Sequence, residues 1–177
     1  FPDAIIEVID SLQASFSLSM MILICAEKAK KGESLLDVAN FARQIGPQIE
    51  TYFSVDSLDH LHRGGRIGKA QAFLGALMKI KPLLKVVNGE VQPVEKIRTR
   101  EKLLNRFVEL VEQAAEEHSR LLLAVAESDN SDVMTALLER IEKIQGVSLI
   151  FRGKIGGVIT SHTGPGALGI AFVKDVR

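Results

Sequence analysis

The chain has 177 residues, 46% of them hydrophobic and 25% charged, which is the composition of a globular protein and excludes a disordered one. Its 22 Lys and Arg balance 22 Asp and Glu, so the whole molecule carries no net field that would draw it to nucleic acid or a membrane surface. A single cysteine, Cys25, excludes both a disulfide framework and a Cys-based zinc site. Cys25 lies in the apolar run from Met20 to Ala26 and reads as a small buried hydrophobe, a usage that fits a reducing cytoplasm. No stretch approaches the ~20 uninterrupted apolar residues of a membrane span. The chain opens on Phe1-Pro2-Asp3, with neither Met nor a basic start followed by an apolar stretch, and is expected to be a processed chain or a fragment.

In chain order, Ile5 to Ile9 reads as a short buried strand. Ser15 is placed to cap a helix from Phe16 to Lys31, with lysines in its last turn and Gly32 as the stop. Ser34 followed by Asp37 resembles a capping box that opens a helix through Gln44, and Gly46-Pro47 interrupts it. Thr51 to Val55 predicts a strand, Leu58 to Arg63 a short helix, and Gly64-Gly65 a break. Ala70 to Met78 is small and apolar at helical spacing. Ile80 to Val87, Asn88-Gly89 and Glu90 to Ile97 predict a β-hairpin, since Asn and Gly both tolerate positive φ. Pro82 and Pro93 push its strands toward a sheet edge or a bulge. Thr99 is placed to cap a long helix from Arg100 to His118. Leu121 to Ala126 reads as a buried strand and Ser131 to Ile144 as a helix closed by Gly146. Val147 to Phe151, Gly157 to Thr160 and Ile170 to Val173 read as strands. This alternation predicts an α/β domain whose sheet is mainly parallel and flanked by helices, with an added antiparallel hairpin.

Charge is unevenly placed. Between His60 and Arg106 there are 11 Lys or Arg against 3 acids, a net of +8, which leaves −8 for the remainder. Such asymmetry points to an anionic ligand or an acidic partner, beside the simpler reading of a solvated basic face. Nucleic acid is disfavoured because Phe73 is the segment's one aromatic residue able to stack on a base.

Three motifs stand out. Arg63-Gly64-Gly65-Arg66-Ile67-Gly68-Lys69 sets glycines beside cations, as an anion site would, or as a joining loop would. It fails as a Walker A loop, because Arg63 and Ala70 occupy places where that motif needs Gly and Ser/Thr. Thr160 to Gly169 contains a formal G-x-G-x-x-G, interrupted by Pro165 and followed by no acid at the required distance. His162 is the informative residue there: flanked by hydroxyls and glycines, it is placed to donate to a carboxylate or take up a proton, or simply to brace a tight turn. Arg98, Lys102 and Arg106 fall at i, i+4 and i+8, a basic stripe that is either idle or a docking face for an acidic partner. His60, His62 and His118 read as solvated. No His/carboxylate spacing resembles a metal site, no Ser-His-Asp or Cys-His set can be assembled, and no cofactor is expected.

Four stretches, VIDSLQAS at 8–15, VDSLDHLHRGGRIGKAQAFLGALMKIKPLL at 55–84, NGEVQPVEKIRTREK at 88–102 and SHTGPGALGIAFV at 161–173, together resemble the DegV family of bacterial fatty-acid-binding proteins. The match is to the C-terminal portion. The resemblance implies a two-domain architecture with its first part missing: residues 1–56 as the remainder of an N-terminal α/β domain and 57–177 as the C-terminal one. The family's upstream Thr-Ser-Gln-Pro-Ser-like and Ser-Gly-Thr-Tyr-like motifs, whose hydroxyls hold the fatty-acid carboxylate, are absent, and Ser15 is not a substitute for them. Phe16-Ser17-Leu18-Ser19 carries serines where many relatives have glycines.

What the resemblance implies for this chain is a cytoplasmic carrier, not an enzyme. It binds a long-chain fatty acid and presents the carboxylate to a separate fatty acid kinase for acyl phosphate formation. His162 and Arg66 belong to the head-group network, with Gly164 and Gly166 beside them. Arg98, with Lys102 and Arg106, docks the kinase subunit. For the acyl tail, Ala70, Ala72, Phe73, Leu74, Gly75, Leu77 and Met78 are candidate lining, or ordinary core. The alternatives are a phosphoryl-transfer enzyme using His162 and a nucleic-acid-binding regulator working through the basic 60–106 segment.

Overall fold

Helix starts follow the side chains that can satisfy free backbone N–H groups. The computed structural model describes residues 3–75 and 80–176. Ser34 Oγ accepts from Asp37 N at 3.2 Å and donates to the Asp37 carboxylate, opening α2 (Leu35–Ile45). Thr99 Oγ1 accepts from Lys102 N at 3.2 Å at the start of α4 (Arg100–Glu117). The first helix, α1 (Ser15–Lys30), differs from expectation: Ala14 is its N-cap and makes no side-chain cap bond, while Ser15 has φ +55°. The serines bond within the helix instead, Ser17 Oγ to the Ala14 carbonyl and Ser19 Oγ to that of Ser15.

The remaining elements are β1 (Glu50–Ser54), α3 (Asp59–Arg63), β2 (Lys81–Val87), β3 (Glu90–Ile97), β4 (Leu121–Glu127), α5 (Ser131–Ile141), β5 (Val147–Lys154), α6 (Gly157–Thr163) and β6 (Leu168–Lys174). Gly46–Gln48 and Gly68–Phe73 form 3-10 turns. The latter stands where the helix expected over 70–78 would begin, and residues 76–78 lie outside the described residues. Two strands predicted from sequence are not strands. Residues 4–10 form no regular element and pair with nothing in the sheet, and Ile5, Ile6 and Val8 are exposed. Gly157 to Thr160 begins helix α6, although Val, Ile and Thr favour strands. Packing against α3 and the bond from Thr160 Oγ1 to the Ile155 carbonyl outweigh that local preference.

The strands form one six-stranded sheet, ordered β3-β2-β1-β6-β4-β5. The α/β class, the flanking helices and the antiparallel hairpin are as expected; a mainly parallel sheet is not. β4 with β5 is the one parallel neighbour pair, and the other four neighbour pairs are antiparallel. Strand–helix–strand alternation did give β3, β4 and β5 a common direction, which β1 shares. The oppositely directed β2 and β6 lie between them, so same-direction strands mostly do not touch. β1 sits between β2 and β6, so a division at residue 56 runs between strands of one sheet. Pro93 lies on edge strand β3 beside a register shift, and Pro82 lies beyond the stretch of β2 that pairs with β1.

Alternate residues face opposite layers. Leu121, Leu123 and Val125 of β4, with Leu168, Ile170 and Phe172 of β6, face α4 and α5. Leu122, Ala124, Ala126 and Ala171 face α1 and α2. On that side Gly169 has no side chain; a Cβ built there would lie 2.5 Å from Phe16 Cζ, so the bare backbone lets α1 lie close to the sheet. An open space lies on the α1 side of the sheet, beside the start of that helix.

Candidate functional site

That space is a cavity of about 540 Å³ over β1–β3, roofed by the segment 10–16 and by α6. Its apolar lining includes Phe16, Phe53, Leu61, Val86, Val91 and Ile159. Register fixes its two ends. Ser54 pairs with Leu168, just after α6, so His162, Thr163 and Arg66 stand at one end. Val86 pairs with Thr51, so the turn Asn88-Gly89 closes the other. A mainly apolar slot with Arg66 and His162 at one end suits an amphiphile with an anionic head.

The head end is built by two glycine loops packed together. His162 lies in the last turn of α6, and its ring rests on Gly64: a Cβ at Gly64 would be 2.2 Å from His162 Nδ1. Nδ1 is buried without a hydrogen-bond partner among the described residues, and the residue lines the cavity. Arg66 is exposed at the rim, and its Nη1 donates to the Gly64 carbonyl at 3.3 Å. The structure thus brings together the two residues, Arg66 and His162, that stand 96 positions apart in sequence. A guanidinium and an imidazole are both suited to a carboxylate.

Gly164 (φ +74°) and Gly166 (φ +80°) do not line this cavity. A Cβ at Gly164 would lie 2.5 Å from His60 Cδ2, and one at Gly166 would lie 2.4 Å from the Asp56 carboxylate. Their bareness lets His60 and Asp56 approach the loop, and Lys81 Nζ pairs with Asp56 in turn. His60 is exposed, as expected from sequence, and one edge of its ring packs on Gly164. Asn130 Nδ2 donates to the Gly166 carbonyl at 2.7 Å, and Gly166 N donates to that of Ser128 at 2.6 Å. The buried Glu127 carboxylate accepts from Asn130 N and Ser131 Oγ, fixing that turn.

The tail lining differs from the candidates offered by sequence. Ala70 is fully buried in the core, Phe73 and Leu74 pack against that core, and none of residues 70–75 lines the cavity; Leu77 and Met78 lie outside the described residues. The residues that do the lining were missed, although Thr51 and Phe53 on β1 carry a period-two signal.

The basic residues are partly neutralised. Arg98, Lys102 and Arg106 line one groove with Lys96, Glu95 and Glu109. Arg98 precedes the Thr99 cap, so helical spacing does not extend to it. Arg106 pairs with Glu95 at 3.3 Å and Glu109 at 3.0 Å, and Glu101 is engaged by Arg140. Arg98 and Lys102 have no acidic partner among the described residues. Lys69 and Lys81 are also paired, with Glu90 and Asp56. Among the described residues no group of three or more His, Cys, Asp or Glu is arranged to hold a metal, and no helix is long and apolar enough to cross a membrane.

A family model described as "Uncharacterised protein, DegV family" matches residues 1–175. The chain belongs to the DegV family. A DegV domain-containing protein of Streptococcus pyogenes is 34% identical over 174 residues, covering 98% of this chain and 60% of that protein. A DegV family protein from Thermus thermophilus, whose structure is described by its fatty acid binding, superposes with a TM-score of 0.89 at 32% identity, over 96% of this chain and 61% of that one. A stearic acid-binding protein from Eubacterium ventriosum gives a TM-score of 0.88 at 27% identity, over 98% and 60%. The chain thus spans about three-fifths of the length of these DegV relatives.

Proposed function

We propose that this chain is the part of a fatty-acid-binding protein that houses the acyl tail. The carboxylate lies at His162 and Arg66, and a separate fatty acid kinase, docked at Arg98 and Lys102, converts it to an acyl phosphate. The observation that carries this reading is the single cavity joining an apolar slot to His162 and Arg66. Fatty acid binding by the Thermus thermophilus and Eubacterium ventriosum relatives supports the ligand class. An ionised carboxylate leaving water must keep charge-assisted bonds, and an apolar tail gains about 0.8 kcal/mol for each methylene buried. The kinase step is the extension that the unpaired cations Arg98 and Lys102 support, since an acidic docking partner would neutralise them.

The test is displacement of a fluorescent fatty acid by a fatty acid and by the alcohol of equal length. Loss of a charge-assisted hydrogen bond costs about 1.5–3 kcal/mol, so the alcohol is expected to bind on the order of ten- to a hundredfold more weakly. Equal affinities would remove the head-group assignment. Native mass spectrometry of protein expressed in bacteria separates the carrier from an enzyme. A co-purified acyl mass supports the carrier, and a labile phosphate on His162 supports phosphoryl transfer instead.

A further inference from the structure

The far end of the slot is closed by a partition with one movable member. A second cavity of about 160 Å³ adjoins the first, and Leu12, Gln13, Thr51, Val86 and Asn88 line both. Most of this wall is fixed. Gln13 Nε2 donates to the carbonyls of Gly46 at 3.1 Å and Ile49 at 3.3 Å, and Thr51 Oγ1 donates to Gln13 Oε1 at 3.0 Å. Val86 is held in the β1–β2 ladder, and Asn88 (φ +51°) with Gly89 (φ +76°) forms the hairpin turn. Leu12 is different. Its side chain makes no hydrogen bond, the residue is 38% exposed, and its backbone is left-handed at φ +54°. Its Cδ2 faces the turn, 3.5 Å from where a Gly89 Cβ would stand, so the bare glycine leaves a gap about one methyl wide between them. Gln13 is thus a post and Leu12 a leaf that faces the hairpin. Beyond the leaf the lining is mixed: Pro47, Ile49 and Val87 offer apolar surface beside Glu50, Tyr52 and Lys85.

We propose that Leu12 sets the length of acyl chain this protein accepts, by closing the slot against Asn88-Gly89; the inference rests on the fatty-acid reading above. A tail that ends at the leaf is buried fully. A longer one must push Leu12 aside or fold back. Truncating Leu12 widens the passage, between the fixed residues, toward the second cavity of about 160 Å³. Enlarging it shortens the slot, and neither change touches the head-group end.

The experiment measures affinity for straight-chain saturated fatty acids of rising length in the wild type, Leu12→Ala and Leu12→Phe, with circular dichroism on each. Affinity should rise about fourfold per methylene while the tail is being buried, then level off. Leu12→Ala should move the plateau to longer acids, gaining on the order of 15-fold over the wild type two methylenes beyond its plateau. Leu12→Phe should move the plateau to shorter ones. A plateau at the same length in all three proteins overturns the role of Leu12 and leaves fatty-acid binding intact. Absence of binding at every length in the wild type overturns the fatty-acid reading, and this proposal with it.

Discussion

Gly64→Ala tests the contact that holds the head-group end together. Gly64 has φ −76° and ψ −3°, so alanine meets no backbone penalty, and the effect is confined to the added methyl. That methyl would sit 2.2 Å from His162 Nδ1, 3.1 Å from its Cε1 and 3.1 Å from the His60 carbonyl oxygen. The ring must retreat by roughly 1 Å or more to reach ordinary van der Waals distance, since close-packed interiors do not absorb such an overlap. Overpacking of this size costs about 1–3 kcal/mol of stability. If His162 holds the ligand head as proposed, a displaced imidazole would also lose that bond, and fatty acid binding should weaken by on the order of ten- to a hundredfold. The assay is a double-mutant cycle of Gly64→Ala and His162→Ala, read by thermal melting and by fatty acid titration. With the ring removed, the methyl has room, and its cost should largely vanish. If Gly64→Ala costs as much in the His162→Ala background as in the wild type, the ring is not what Gly64 accommodates.

Two further predictions separate surface charges and titrating groups by the partners they have. Arg98→Glu with Lys102→Glu should leave melting and acyl content unchanged but abolish phosphorylation by the proposed kinase partner, with a steep salt dependence in the wild type because the Debye length is ~8 Å at physiological ionic strength. Arg106→Glu should instead lower stability, since Arg106 is paired with Glu95 and Glu109; each such partly exposed pair contributes about 0.2–1 kcal/mol. Tyr52 is stacked on Phe172 and donates to Glu50 at 2.8 Å. Burial, then that bond and the Glu50 charge, hold its phenol well above the usual range, and Arg106 opposes them. A group whose pKa is raised on folding contributes stability that is present below its unfolded pKa and lost as pH rises toward the folded one. Tyr52→Phe should therefore be less stable than wild type at neutral pH by about 0.5–1.5 kcal/mol, and the gap should close above pH ~10 in alkaline melts. A gap that stays constant to high pH would refute the assignment. Burial likewise raises the Cys25 thiol, against a lowering by Lys28, and it contributes equally to both proteins.

Local chemistry was legible wherever a side chain acts on its own neighbours. Ser34 and Thr99 capped the helices their positions predicted, and Asn88-Gly89 made the hairpin turn because both residues accept positive φ. Arg66 and His162 were singled out because cations among glycines suit an anion, and both line one cavity. Other features depended on partners far along the chain. Val158, Ile159 and Thr160 carry strand preference, but contact with α3 made them helix. Ile5 to Ile9 carries a strand pattern, but a strand needs a ladder partner and finds none among the described residues. Sheet polarity could not be read from alternation, because alternation fixes the direction of a strand and not which strand lies beside it. For the same reason the lining of the slot was hidden. Phe16, Phe53, Val86 and Ile159 look like core in sequence, and only the folded arrangement of α1, β1, β2 and α6 sets them around one cavity. Apolar sequence alone determines that these residues leave water; which of them meet each other, and which face a ligand, is decided by register and by the volumes opposite them.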